Sequence, residues 1–238
     1  MLTGVPLEMA AGEMGVSEAL LKIAVSRSNL FEQADSRDFA NATCLLTTRR
    51  SIRRYLPEPV STETILDLLA VATTAPSAHN RQPWRFAVLA TDEAKTGLAR
   101  CMGERLRADR LADSDDAQAV DIDVRRSFER VTQAPVVIIV CATVVDMDRY
   151  PDPRRNEAEK IMAIQGTAMA VQNLLVAAHA AGLGACWMCA PLFCPEVVTS
   201  ALELPQDWEP LALITMGWPA DTGKPFSRRP FGEIVRFA

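Results

Sequence analysis

Ala134-Pro135-Val136-Val137-Ile138-Ile139-Val140-Cys141-Ala142-Thr143 is a continuous apolar run, dense in β-branched residues and opened with a proline. A strand without polar alternation is buried on both faces, so this stretch predicts the centre of a sheet covered by helices on either side. Trp84–Ala90 and Leu211–Trp218 share its aromatic and branched character and follow prolines, which predicts three strands in all. Helices separate them. Ser61 is placed to cap one with Glu63 in its first turn, and Ile65, Leu68, Leu69 and Ala72 recur at helical spacing before Pro76. Asn156–Ala181 predicts a long helix stopped by Gly182, and Pro195 opens a shorter one through Leu202.

Composition bounds what such a sheet can belong to. The chain has 238 residues, 49% hydrophobic and 23% charged, with 11 Gly and 15 Pro, an ordinary globular mixture. A chain of this size buries roughly 70% of its unfolded surface, enough for a core without disulfide or structural metal. A formal net charge of -5 leaves no positive excess to hold a nucleic acid. No stretch is long and uninterrupted enough to predict a membrane span. The first residues carry Glu8 and Glu13 and lack the basic-then-apolar order of a signal peptide, so a cytoplasmic address is expected. The six cysteines are expected to be free thiols. One domain is predicted over 41–238, behind an extension, residues 1–40, whose clearest feature is a short amphipathic segment at Ser17–Val25.

Four stretches could carry chemistry. Arg49-Arg50-Ser51-Ile52-Arg53-Arg54 holds four of the chain's 21 Arg. If extended, it sets Arg49, Ser51 and Arg53 on one side, a plausible clamp for a terminal phosphate; a solvated basic turn is the alternative. Pro76-Ser77-Ala78-His79-Asn80-Arg81-Gln82-Pro83-Trp84 is a loop pinned between prolines. Its Asn80 and Gln82 amides match an edge of alternating carbonyl and N–H groups, such as a flavin pyrimidine, or else satisfy the loop's own backbone. Gly182-Leu183-Gly184-Ala185-Cys186-Trp187-Met188-Cys189-Ala190-Pro191 lacks the third glycine and the helix start of a dinucleotide-binding turn. Its cysteines read as packing thiols, since a zinc site wants four ligands and the only histidines are His79 and His179. Arg228 and Arg229, in Lys224-Pro225-Phe226-Ser227-Arg228-Arg229-Pro230, could finish a phosphate site begun at Arg49 or simply be solvated. His179 reads as structural rather than catalytic.

In this order and spacing, from about Cys44 to the C-terminus, the four stretches resemble the FMN-dependent nitroreductase family. The resemblance implies an α+β fold: a three-layer α/β/α sandwich with a central, mainly antiparallel sheet, built as an intertwined homodimer with FMN at the subunit interface. It implies that Arg49, Arg50, Ser51 and Arg53, with Arg228 and Arg229, bind the phosphate and pyrimidine side of FMN. Pro76, Ser77, Ala78 and Asn80 would come from the partner subunit, with Gln82 supporting their loop. A backbone N–H among Met188, Cys189 and Ala190 would face flavin N5, although Cys189 stands where many relatives have glycine. The implied activity is hydride transfer from NAD(P)H through FMN to a small electron-poor acceptor: a nitro compound, a quinone or an activated alkene. The alternatives are a biosynthetic reductase acting on a deazaflavin precursor, a flavin-fragmenting enzyme, or a non-enzymatic flavin binder. No side chain is assigned as a catalytic acid, with His79 a candidate substrate contact. For a phosphate-bearing substrate, Arg81, Arg154 and Arg155 are the candidates.

Overall fold

The structure, a computed structural model, describes residues 36–237; Ser17–Val25 lies outside the described residues. Among the described residues four strands form one sheet: β1 (Trp84–Leu89), β2 (Val136–Ala142), β3 (Gly184–Met188) and β4 (Glu209–Gly217). Their order is β1-β2-β4-β3, and every neighbouring pair is antiparallel. The central apolar run behaves as its composition requires. Val136, Ile138 and Val140 of β2 face one apolar cluster, and Val137, Ile139 and Cys141 face another on the opposite side.

Each face has its own helical layer. On the first, Ile65, Leu68 and Ala72 of α2 (Thr62–Ala72) pack with Val171, Leu174 and Ala178 of α5 (Pro153–Ala180). On the second, Leu98 and Met102 of α3 (Asp92–Ala112) meet Val131 of α4 (Ala117–Thr132) and Val198 of α6 (Pro195–Ala201). This is the expected three-layer α/β/α arrangement. Two short helices flank it: α1 (Ser36–Thr48), which runs across the expected boundary at residue 40, and α7 (Phe231–Ile234).

The local signals act as the sequence predicts. Ser61 Oγ accepts the Thr64 N–H at 3.1 Å and caps α2. α5 starts three residues before the expected Asn156, with Pro153 in its first turn behind the Asp152 cap, and Gly182, at φ +79°, turns the chain from the helix towards β3 as expected. By composition α5 is apolar and long enough to cross a membrane, and Val171, Leu174, Leu175 and Ala178 in its C-terminal half are core residues under the sheet. Five elements were not anticipated: α1, α3, α4, α7 and β3.

Candidate active site

The arginine-rich stretch emerges from α1 and runs along the outer edge of β3. Ile52 N donates to Ala185 O at 3.1 Å, and Leu56 N donates to Trp218 O at 2.9 Å. Buried Ile52 nests against Gly184, so side chains on either side of it are held at fixed positions. Tyr55 locks the stretch from beneath: its hydroxyl donates to Ile52 O at 2.6 Å and lies 2.8 Å from Thr215 Oγ1 on β4. Burial pushes this phenol well above its usual range, opposed by the Thr215 hydrogen bond. Tyr55→Phe strands a carbonyl and a buried hydroxyl and is expected to cost about 1–2 kcal/mol, read as a lower urea midpoint at unchanged m.

Arg49 does not share a side with Ser51 and Arg53. Arg49 and Arg50 line a cavity of about 320 Å³ with His179, Gly182 and Asp221. Ser51, Arg53 and Arg54 line a separate cleft of about 450 Å³. The expected alternation fails because Arg50 continues from a helix end: its guanidinium donates to Thr47 O at 3.0 Å and Thr48 O at 3.1 Å, closing orphan carbonyls of α1. His179 Nε2 lies 2.9 Å from Thr48 Oγ1, a structural tie between α5 and α1.

The tail reaches the same region. Arg50 and Arg228 both lie over the Phe226 ring, each 4.1 Å from its centroid, so Arg228 stands beside the arginine stretch. Arg229 is directed instead to Glu233, 3.9 Å away.

The loop between the prolines is strained. His79, Asn80 and Gln82 all have positive φ, at 49°, 53° and 49°. Three non-glycine residues in this region within one turn cost energy that a structure retains where the geometry has a use. Ser77 Oγ accepts the Gln82 N–H at 2.9 Å, and Gly166 of α5 lets the loop approach closely: a Cβ there would lie 3.2 Å from Ser77 Cβ. The side-chain amides of Asn80 and Gln82 have no hydrogen-bond partner among the described residues, so the loop does not consume them. Arg81, by contrast, pairs with Asp148 at 2.6 Å, and Arg155 pairs with Asp152 and lies over Tyr150. Both lie by the N-terminal half of α5, away from the arginine stretch.

The third stretch forms β3 and the turn after it. Met188 pairs with Leu213, and Cys189 leads into a 3₁₀ turn at Ala190–Phe193. The Trp187 indole N–H donates to Cys189 Sγ at 3.1 Å, so a neighbouring side chain fixes this thiol. Beyond Ala185 the outer edge of β3 carries no further strand among the described residues. All six cysteines are free. Burial pushes the Cys141 thiol up to about 12 and raises Cys186 and Cys194 too, so these three are packing thiols rather than poised nucleophiles. Among the described residues no group of three or more His, Cys, Asp or Glu could hold a metal.

Spacing along β3 relates the parts. Ser51 bridges Ala185, and Cys189 lies four residues further along, about 13 Å at the rise of a strand. Cationic donors thus stand at one end of an open sheet edge and a turn with backbone N–H groups at the other. The arginine donors suit a phosphate, and the open edge suits a flat ring laid along it.

The Nitroreductase family model matches residues 46–218. A 5,6-dimethylbenzimidazole synthase of Rhodospirillum rubrum is 33% identical over 81% of this chain and 85% of its own length. An NADH dehydrogenase of Thermus thermophilus is 32% identical over 79% of this chain and 91% of its own length. The crystal structure of a putative nitroreductase from Desulfovibrio desulfuricans in complex with FMN superposes with a TM-score of 0.63, at 29% identity, covering 82% of this chain and 95% of that one. The family match takes in all four strands and three of the four stretches, leaving out only the tail after Trp218, and the chain belongs to the nitroreductase family.

Proposed function

We propose that this protein is a cytoplasmic FMN-dependent oxidoreductase that takes hydride from NADH or NADPH and passes it to a small electron-poor acceptor such as a nitro compound, a quinone or an activated alkene. The observation that carries the reading is the juxtaposition on the β3 edge: arginine side chains at one end and the Met188–Ala190 turn about 13 Å away. Bound there, FMN would supply the two-electron chemistry. The chain's residues bind and orient it. Arg49, Arg50 and Arg228 would hold the phosphate, while Ser51 and Arg53 would face the pyrimidine side, where a positive field favours negative charge on the ring. The turn at Met188, Cys189 and Ala190 offers N–H groups to its redox-active edge. Arg229, paired with Glu233, plays a lesser part.

Within one chain the Pro76–Gln82 loop lies far from the arginine stretch. Ser77 packs at Gly166 of α5, whereas Thr48, beside Arg49, bonds to His179 of the same helix. Those contacts are thirteen residues apart on a straight helix, about 20 Å. A homodimer supplies the missing half: the partner's Pro76, Ser77, Ala78 and Asn80 would line the flavin, with Gln82 holding their loop. Exposed Phe39 and Leu46 on α1 and Ile161 and Met169 on α5 offer apolar surface for such a pairing. The test is FMN-dependent oxidation of NADH or NADPH with menadione or 4-nitrobenzoate as acceptor, together with the native mass of the loaded protein. A dimer carrying two FMN and turning over supports the proposal; a flavin-loaded monomer contradicts the shared site.

A second reading, flavin fragmentation, is supported by the 33% identity to the Rhodospirillum rubrum protein named 5,6-dimethylbenzimidazole synthase. Dimethylbenzimidazole formed from FMN under air with NADPH would favour it over reductase turnover.

A further inference from the structure

α4 was not anticipated from the sequence, yet it packs beside the arginine stretch. Arg126 and Arg130, four residues apart and so neighbours on one helix face, line the 450 Å³ cleft with Ser51, Arg53, Arg54 and Lys224. Five cations face two carboxylates there, Glu129 and Asp221. Asp221 already accepts the Gly223 N–H at 2.9 Å. Arg126 is oriented by Asp123, whose other oxygen takes Arg110 of α3 at 2.5 Å. Arg54, Arg130 and Lys224 have no carboxylate partner among the described residues. Gathering like charges without acids costs self-repulsion, which a bound anion relieves.

The cleft's place gives it meaning. It opens at the same edge of β3 as the proposed flavin, on the side of α3 and α4, whereas Arg49 and Arg50 line the cavity on the side of α5. We propose that this cleft is a substrate anion subsite: Arg126, Arg130 and Lys224, with Arg54, bind a phosphate or carboxylate carried by the reductant or the acceptor. The inference rests on the oxidoreductase reading and adds the charge class of what that site accepts. In this role Arg126 and Arg130 take the place of the expected Arg81, Arg154 and Arg155; the guanidinium groups of Arg81 and Arg155 are occupied by acids elsewhere.

Arg130→Ala, the Arg126→Ala/Arg130→Ala pair and the charge-preserving Arg130→Lys test it in FMN-loaded protein on two matched pairs: NADPH against NADH, and 4-nitrobenzoate against nitrobenzene. The KM of the more anionic member of at least one pair should rise roughly tenfold in the alanine variants, while its counterpart stays within about twofold. The difference should shrink with added salt and be partly recovered by Arg130→Lys, neither of which a merely structural role would produce. A rise for NADPH names its extra phosphate as the ligand; a rise for 4-nitrobenzoate names the acceptor. Unchanged selectivity in both pairs overturns the proposal. So does a variant that loses FMN yet still binds riboflavin, because the cleft would then hold the cofactor's phosphate. If the double variant fails to fold once Asp123 loses Arg126, Arg130→Ala decides alone. Wild-type protein that binds no FMN would refute the oxidoreductase reading instead. The cleft is then tested by calorimetric titration of inorganic pyrophosphate: weaker binding in Arg130→Ala upholds an anion site, and no binding to wild type, or equal binding to both, removes it.

Discussion

Replacing Arg49 and Arg53 together with alanine should weaken FMN binding by about two to three orders of magnitude while leaving the fold intact. Each guanidinium hydrogen bond to a charged or polar ligand atom contributes about 1.5–3 kcal/mol, reduced where solvent screens it. Neither side chain supports the core. Arg53 is exposed and Arg49 half-buried, and the stretch is anchored by Ile52, Tyr55 and the backbone bond to Ala185. Flavin fluorescence titration gives the affinity and thermal melting the stability. Stoichiometric FMN retained by the double variant would remove these arginines from the site.

Gly184→Ala should have a large effect on stability, and for a local reason. A Cβ at this position would lie 2.7 Å from Ile52 Cβ and 2.8–2.9 Å from its branches, closer than carbon atoms pack. Ile52 cannot yield without lifting the arginine stretch from β3 and breaking its bond to Ala185 O. The expected cost is about 3 kcal/mol, together with loss of FMN affinity, because Arg49 and Arg53 both move. Gly97→Ala is the matching control: this glycine is exposed within α3 with nothing within 4 Å of the added methyl. That substitution should stabilise by about 0.5–1 kcal/mol and leave FMN binding alone. Equal effects of the two substitutions would show that the Ile52 contact does not position the stretch.

The sandwich was legible because its central strand is buried on both faces and therefore reads as a continuous apolar run. β3 was hidden. Gly184-Ala185-Cys186-Trp187-Met188 has no alternation and little branching, and it becomes a strand because β4 offers a ladder and Gly184 leaves room for Ile52. The α3–α4 pair was hidden for another reason. Its exposed faces are charged throughout and held by pairs such as Arg105–Asp109 and Arg107–Asp121, which blur the apolar stripe of Leu98, Met102 and Val131. That omission also concealed Arg126 and Arg130.

Within the candidate site, the sequence placed the residues but not their directions. Alternation predicted one side for Arg49 and Arg53, yet capping of α1 by Arg50 and burial of Ile52 divide them between two cavities. The strain of the Pro76–Pro83 loop was foreshadowed only by its prolines, since positive φ at His79, Asn80 and Gln82 is a property of the folded backbone.

If the β3 edge holds a flavin that a nicotinamide can reduce, the visible spectrum of FMN-reconstituted protein under anaerobic conditions will change as NADPH, and separately NADH, is added. Prompt bleaching of the bound flavin by at least one of them is the predicted result. Bound FMN that neither nucleotide bleaches, or no FMN bound at all, would contradict it.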